Sequence, residues 1–284
     1  MGVKKIAVIG AGLMGSQIAR TVANFGFEVT IFSRRGPSAL ARLQESVKKA
    51  VVKKILTETQ AAFLLSNIHF ALTLAEAVKE ADLVIEAVVE DLDVKEEVFR
   101  QVSVNCDPDA IISSNTSSLS ISSLAEVVKG PQRVVGMHFF NPAPVMKLVE
   151  VVQASQTSKK TVDSIVNFCE KIGKTPLVVK DKPGFVVNRI LIPSINAAAF
   201  LLMDGVATAE TIDSAMKLGA NHPMGPFAIA DLVGIDTCLK ILKEMQSRLD
   251  ENFLICPLFE KMVVEGNLGR KTGKGFYTYS PQFV

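Results

Sequence analysis

The stretch that most narrows what this chain can fold into lies at its start, IAVIGAGLMGSQIAR, residues 6–20. An unbroken run of branched apolar residues reads as a strand buried on both faces. Gly10-x-Gly12-x-x-Gly15 then forms a turn that passes directly into a helix. Gly10 permits the tight turn, Gly12 lets backbone approach a ligand, and Gly15 lets helix and strand pack closely. The helix start offers N–H groups and partial positive charge, which suits the phosphates of a dinucleotide. Leu13 and Met14, between the second and third glycines, join the three glycines as candidate cofactor-binding residues.

A strand of this kind needs parallel neighbours covered by helices, and the chain supplies them. KIAVIG, EVTIFS, LVIEAV, AIISSN, VVGMHF, LVEVVQ and PLVVK alternate with amphipathic helical stretches, one of them over 38–56. After DKPGF the β-branched runs stop, and residues 184–265 read as helices. Pro183-Gly184 marks the boundary. The expected architecture is therefore α/β: a Rossmann-type, doubly wound, mostly parallel sheet over 1–182, with an all-α C-terminal domain over 183–284. The methionines at 203, 216, 224 and 245 read as helical core.

Composition excludes several other classes. With 284 residues, 48% hydrophobic and 21% charged, the chain can bury a core and is not disordered. A formal net charge of +2 gives no reason to expect nucleic acid. The most apolar stretch, 184–203, contains Asn188, Arg189, Pro193 and Asn196, so it reads as a buried helix and not a membrane span. Four cysteines without a CxxC pair point to a reduced, cytoplasmic protein, and the first strand begins too early for a cleaved signal. No cluster has metal-ligand spacing, so no metal is expected. GRKTGKG fails as a P-loop twice: three residues lie between Gly269 and Gly273 where four are needed, and Gly275 follows Lys274 where Ser or Thr should stand.

At the end of the second strand, where an acid commonly holds a ribose diol, the chain has Ser33, Arg34 and Arg35. Serine removes a charge that would repel a 2′-phosphate, and arginine forks match phosphate oxygens. The expectation is NADP(H), with NAD(H) possible through other contacts if the arginines are only a solvated loop pair. Further on, His138 ends a strand candidate and carries the side chain that titrates near neutrality. Glu150 lies twelve residues later, past Asn141-Pro142-Ala143-Pro144, where a hairpin-like return would bring carboxylate and imidazole together. Spacing alone slightly favours a structural histidine with a satisfied N–H.

Five motifs extend the reading: SSNTSSLSI (113–121), GMHFFNPAPVMKLVEVV (136–152), KPGFVVNRILIPSINAA (182–198), AMKLGANHPMGPFAIADLVGID (215–236) and GRKTGKGFYTYS (269–280). Together they closely resemble the L-3-hydroxyacyl-CoA dehydrogenases, nearest to the bacterial 3-hydroxybutyryl-CoA members, over residues 3–280. The chain departs from the pattern at Ser33-Arg34-Arg35, where most members carry an Asp.

The resemblance implies that His138 and Glu150 are the catalytic pair, and that Ser117 and Asn188 contact substrate near its reacting oxygen. It implies that Glu90 and Lys95 lie near the nicotinamide ribose, and that the helix carrying Lys49, Lys53 and Lys54 touches coenzyme A. Asn115 is assigned to the cofactor side and Asn141 to the substrate side. The helical domain would close over the acyl-CoA and form a homodimer. The implied reaction is the reversible, NAD(P)-dependent reduction of acetoacetyl-CoA, a short-chain 3-oxoacyl-CoA, to (S)-3-hydroxybutyryl-CoA. The competing expectations are a dehydrogenase of a free β-hydroxy (sugar) acid and a non-catalytic NADP(H) sensor.

Overall fold

β1 (Lys5–Ile9) buries Ile6 through Ile9 without alternation, because a strand flanks it on each side and helices cover both faces. The computed structural model describes residues 2–249 and 251–280. The chain divides into two compact units, one running through Lys182 and the other beginning at Pro183. In the first unit β1 is joined by β2 (Glu28–Phe32), β3 (Ile68–Phe70), β4 (Leu83–Glu86), β5 (Ile111–Ser114), β6 (Val134–Phe139), β7 (Leu148–Gln153) and β8 (Thr175–Lys180). Their order in the sheet is β3-β2-β1-β4-β5-β6-β7-β8. The strands from β3 to β6 are parallel, β7 runs antiparallel to β6, and β8 is parallel to β7. The first six have the doubly wound dinucleotide-binding order.

β3 is the strand absent from the sequence reading. Its three residues, with His69 in the middle, are too few to show a period, and pairing with the edge of β2 makes it a strand. The connecting helices are α1 (Leu13–Ala23), α2 (Pro37–Val52), α3 (Glu58–Ser66), α4 (Leu74–Val78), α5 (Leu92–Asn105), α6 (Ile121–Glu126) and α7 (Lys159–Lys171). Local chemistry sets many of their starts. Thr57 and Gln60 form a reciprocal capping box, and Asp91, Ser120 and Ser158 each accept an N–H from the first turn of the helix that follows.

The second helix is shorter than the expected 38–56. Lys54 takes a left-handed φ of 56°, its N–H donates to Val51 O (2.8 Å), and Ile55 N–H donates to Ala50 O (2.9 Å). That pair of bonds is a Schellman termination, usually signalled by glycine. A lysine in its place hides the stop from a reading of the sequence.

The second unit packs α8 (Val187–Met203), α9 (Ala209–Gly219), α10 (Pro226–Val233), α11 (Ile235–Leu249) and α12 (Pro257–Val264) around Ile195, Phe227, Leu242 and Phe259. Buried Asn196 donates to Leu254 O and accepts from Cys256 N–H, both at 2.9 Å, so its amide is satisfied inside that core. Of the four methionines, Met245 is buried, while Met203, at the end of α8, is 44% exposed. The glycine-rich tail is a packing device. Asp231 accepts from Phe276 N–H, Tyr277 N–H and the Tyr279 hydroxyl, each at 2.9 Å, and Gly275 lies directly on its carboxylate. Among the described residues no helix is long and apolar enough to cross a membrane, and no group of side chains could hold a metal ion.

At Gly15, in α1, a Cβ would overlap the carbonyl oxygen of Gly10, just past β1. Backbone cannot yield there as a side chain could. Gly15→Ala should therefore destabilise the protein by about 1–3 kcal/mol, the usual cost of overpacking. Urea unfolding of the variant against the parent measures it.

Candidate active site

The carboxyl ends of five strands are laced together. Gly10 N–H donates to Phe32 O, Ala87 N–H to Ile9 O, and Asn115 N–H to Glu86 O, each at 2.8 Å. Phe139 N–H then donates to Asn115 Oδ1 at 2.9 Å. The loops leaving β2, β1, β4, β5 and β6 are thereby fixed side by side along one edge of the sheet. In open α/β sheets this is the edge where ligands bind.

His138 is the penultimate residue of β6 and stands directly opposite Glu150 in β7. Its Nδ1 lies 2.8 Å from Glu150 Oε2, and both residues are buried. As a carboxylate Glu150 can only accept, so the hydrogen of this bond sits on Nδ1. The Phe140 ring packs against the imidazole with centroids 4.4 Å apart. Orientation, tautomer and a dry wall thus come from two strands and one aromatic ring.

Ser117 belongs to the turn after β5, and Glu90 holds that turn. Glu90 Oε1 accepts from the Thr116 hydroxyl (2.5 Å), Ser117 N–H (2.9 Å), the Ser117 hydroxyl (3.3 Å) and the Ser118 hydroxyl (3.4 Å). Lys95, in α5 and 1% exposed, bridges Glu90 Oε2 at 3.2 Å and Glu86 Oε1 at 2.7 Å. Glu86 is fully buried and also accepts from Val88 N–H and the Ser114 hydroxyl, both at 2.6 Å. Burial pushes the Glu90 carboxyl up, but the Lys95 charge, the Thr116 hydroxyl and the Ser117 amide outweigh it and hold it below the usual glutamate range. Burial opposes charge on Lys95 as well, and the two carboxylates outweigh it, keeping its pKa above the ordinary lysine value. Lys95 is committed to these carboxylates, so its influence on a ligand runs through Glu90. Glu86 escaped the sequence reading, although an acid inside the apolar run LVIEAV was a visible signal.

The glycine turn fits a dinucleotide phosphate. A Cβ on Gly12 would meet no protein atom within 4 Å, so the space before α1 is open to a ligand. Helix α1 has no side-chain cap and no acid in its first turn, which leaves its N-terminal charge uncompensated by side chains. Leu13 at its start is 66% exposed, and Met14 packs partly on the core. Next to Gly10, the turn after β2 is braced internally: Arg35 N–H donates to Ser33 Oγ (3.3 Å) and Ser38 Oγ to Arg35 O (2.8 Å). Arg34 and Arg35 are exposed, and among the described residues neither pairs with a carboxylate.

Lys49 is exposed on the last turn of α2, 3.9 Å from Glu45. Lys53 caps that helix and Lys54 follows in its left-handed exit, so the three do not share one continuous helical face. Asn141 is exposed in the β6–β7 turn, and its Oδ1 accepts from Gln17 Nε2 at 3.1 Å. Asn188 belongs to the second unit, in the first turn of α8. Burial pushes the thiols of Cys169 and Cys238 up to about 12, which makes them inert as nucleophiles.

The buried triad makes a pH-dependent prediction. Lys95→Met leaves two carboxylates without their cation, and breaking such a pair costs about 3–5 kcal/mol near neutrality. The stability that Glu90 contributes is present above its unfolded pKa of about 4.3 and is lost as pH falls through its lower folded value. The deficit of the variant should therefore shrink as pH falls towards about 4, where Glu90, deprived of the Lys95 charge, takes up a proton. Urea unfolding of both proteins at a series of pH values measures this.

Comparisons with known proteins agree with this geometry. Residues 5–182 match the family described as "3-hydroxyacyl-CoA dehydrogenase, NAD binding domain", and residues 184–279 match its C-terminal domain. The chain is 47% identical to a probable 3-hydroxybutyryl-CoA dehydrogenase of Bacillus subtilis, covering 98% of both proteins. It is also 47% identical to the 3-hydroxybutyryl-CoA dehydrogenase of Clostridioides difficile, over 97% of this chain and 99% of that one. The crystal structure of (S)-3-hydroxybutyryl-CoA dehydrogenase from Ralstonia eutropha superposes with a TM-score of 0.91 at 41% identity, covering 98% of this chain and 100% of that one. Glycine turn, strand order and domain matches converge: the chain belongs to the 3-hydroxyacyl-CoA dehydrogenases, a family of nicotinamide-dependent oxidoreductases.

Proposed function

We propose that the protein reversibly reduces acetoacetyl-CoA to (S)-3-hydroxybutyryl-CoA and prefers NADP(H) to NAD(H). The observation that carries the reading is the His138–Glu150 pair, 2.8 Å apart, on the same sheet edge as the glycine turn. The names of the relatives support a four-carbon acyl-CoA as the substrate. With the pyrophosphate of a dinucleotide held by the glycine turn and the start of α1, the nicotinamide would provide the hydride for C3 of the substrate or accept it from there. His138 Nε2 gives the proton to the C3 oxygen in the reducing direction and removes it in the other. Glu150 keeps the ring oriented and compensates its positive charge when it is protonated. Ser117 stays tied to Glu90 through its N–H, while its hydroxyl turns from Glu90 to donate to the same oxygen as negative charge builds there.

The cofactor preference rests on the Ser33–Arg35 turn. It lacks the acid that holds a ribose diol and presents two exposed guanidinium groups beside Gly10. Lys49, Lys53 and Lys54, all exposed, are the proposed anchors for the phosphates of coenzyme A. The protein is proposed to act in the cytoplasm as a homodimer formed through the helical unit, where Leu201, Met203, Val206 and Leu218 are exposed.

Two measurements test the reading. The kcat/KM for acetoacetyl-CoA reduction should be at least about tenfold higher with NADPH than with NADH, equivalent to about 1.4 kcal/mol. The double variant Arg34→Ala/Arg35→Ala should lose most of that ratio. A preference for NADH would reduce the arginines to a solvated pair, and no turnover with either cofactor would overturn the substrate. His138→Gln should lower kcat by a factor of about 10² or more. An unchanged kcat would sink the proton-transfer role.

A further inference from the structure

Gln17 leaves the dinucleotide helix and ends on the turn that follows the catalytic histidine. It sits in the second turn of α1, five residues beyond Gly12. Ala143 N–H donates to Gln17 Oε1 at 2.7 Å, and Gln17 Nε2 donates to Asn141 Oδ1 at 3.1 Å. Ala143 is 1% exposed, so its amide has no ready alternative in water. The carbonyl of the same residue accepts from Lys174 Nζ at 2.5 Å, and that ammonium also donates to Met146 O at 2.8 Å. Lys174 immediately precedes β8. The turn is therefore gripped from two sides, by a lysine anchored in the sheet and by a glutamine on the helix whose N-terminus receives phosphate.

The two grips differ in what they report. Lys174 ties the turn to static framework. Gln17 ties it to α1, the element that a bound dinucleotide orders most directly, since the pyrophosphate lies against its first turn. We propose that Gln17 is a positioning residue for the reaction, carrying the seating of the dinucleotide on α1 into the Asn141–Ala143 turn beside His138. The inference rests on the dinucleotide reading of the site and adds a direction of communication to it. Cofactor bound at the glycine turn sets the segment that meets the acyl substrate, by two hydrogen bonds of one side chain.

Two variants separate positioning from simple support. Gln17→Met keeps length and shape and removes both bonds. Gln17→Glu keeps the acceptor for Ala143 N–H and can accept from the Asn141 amide once that amide turns round. The direct readout is hydrogen exchange of the segment 139–147, with and without saturating NADPH and, separately, NADH. In the parent protein and in Gln17→Glu, the cofactor that binds should slow exchange of this segment by about tenfold; in Gln17→Met it should change little. Kinetically, Gln17→Met should lower kcat for acetoacetyl-CoA reduction by about tenfold with KM for the cofactor nearly constant, and Gln17→Glu should restore most of it. Cofactor-induced protection that persists in Gln17→Met, or its absence from the parent, overturns the proposal. So does a kcat loss of equal size in both variants, which marks the side chain as mere scaffold. A parent that shows the protection but does not reduce acetoacetyl-CoA supports the coupling and overturns only the assigned substrate.

Discussion

His138 and Glu150 face each other because β7 runs antiparallel to β6 in a register that pairs Gly136 with Val152 and Phe139 with Val149. A slip of one residue would turn one of the two side chains to the other face of the sheet. A parallel strand could not serve, since it would need a long crossover and would return to the sheet from the opposite end. The reversal lets a short turn deliver the carboxylate to the histidine at the ligand edge. Gly136 helps to hold that register: a Cβ there would lie 2.6 Å from Val152 Cβ and 3.0 Å from Ile121, so β6, β7 and α6 close only over a hydrogen. The pair is set by backbone, and backbone pairing is stiffer than any side-chain contact that could replace it.

The second device, Glu86–Lys95–Glu90, spends buried charge to hold a turn. Taking an ammonium and two carboxylates out of water is costly, and a hydrophobic trio would commonly be as stable. The hydrogen bonds explain what the charges do that apolar groups could not. Glu90 Oε1 alone collects donors from Thr116, Ser117 and Ser118, which fixes three consecutive residues that would otherwise be free to fluctuate. Lys95 keeps that carboxylate ionised and so keeps it accepting, and Glu86 keeps Lys95 charged. Ser117 is thus positioned by electrostatics reaching back into the sheet, where Lys95 and Glu86 are shielded from water.

What could be read from residues and what could not divides along physical lines. The glycine turn, the alternation of strands and helices and the His138–Glu150 juxtaposition each depend on short-range pattern: close approach at Gly12 and Gly15, periodicity, and one hairpin-like return. The features that escaped are those made by tertiary context. β3 exists only because β2 has an open edge to pair with. The stop of α2 at Lys53 depends on a left-handed residue that is not glycine. Met203 belongs to an apolar helix but lies at its exposed end. Gln17, an ordinary polar residue on a helix, acquires its meaning from a turn more than a hundred residues away, which no local pattern encodes.

The sheet also separates the two properties that a dehydrogenase must evolve independently. The Ser33–Arg35 turn follows β2, and the His138–Glu150 pair sits on β6 and β7, with β1, β4 and β5 between them. The Ser33 turn is braced by its own hydrogen bonds, Arg35 N–H to Ser33 Oγ and Ser38 Oγ to Arg35 O. Exchanging an acid for Ser-Arg-Arg at that corner therefore changes the charge of the loop after β2 and leaves the His138–Glu150 geometry as it was. Distance and screening enforce the separation: charges at an exposed loop, beyond a Debye length of about 10 Å, have little effect on a buried pair. A departure from the family pattern at Ser33 for this reason bears on the proposed cofactor preference, and it carries no weight against the proton transfer proposed for His138.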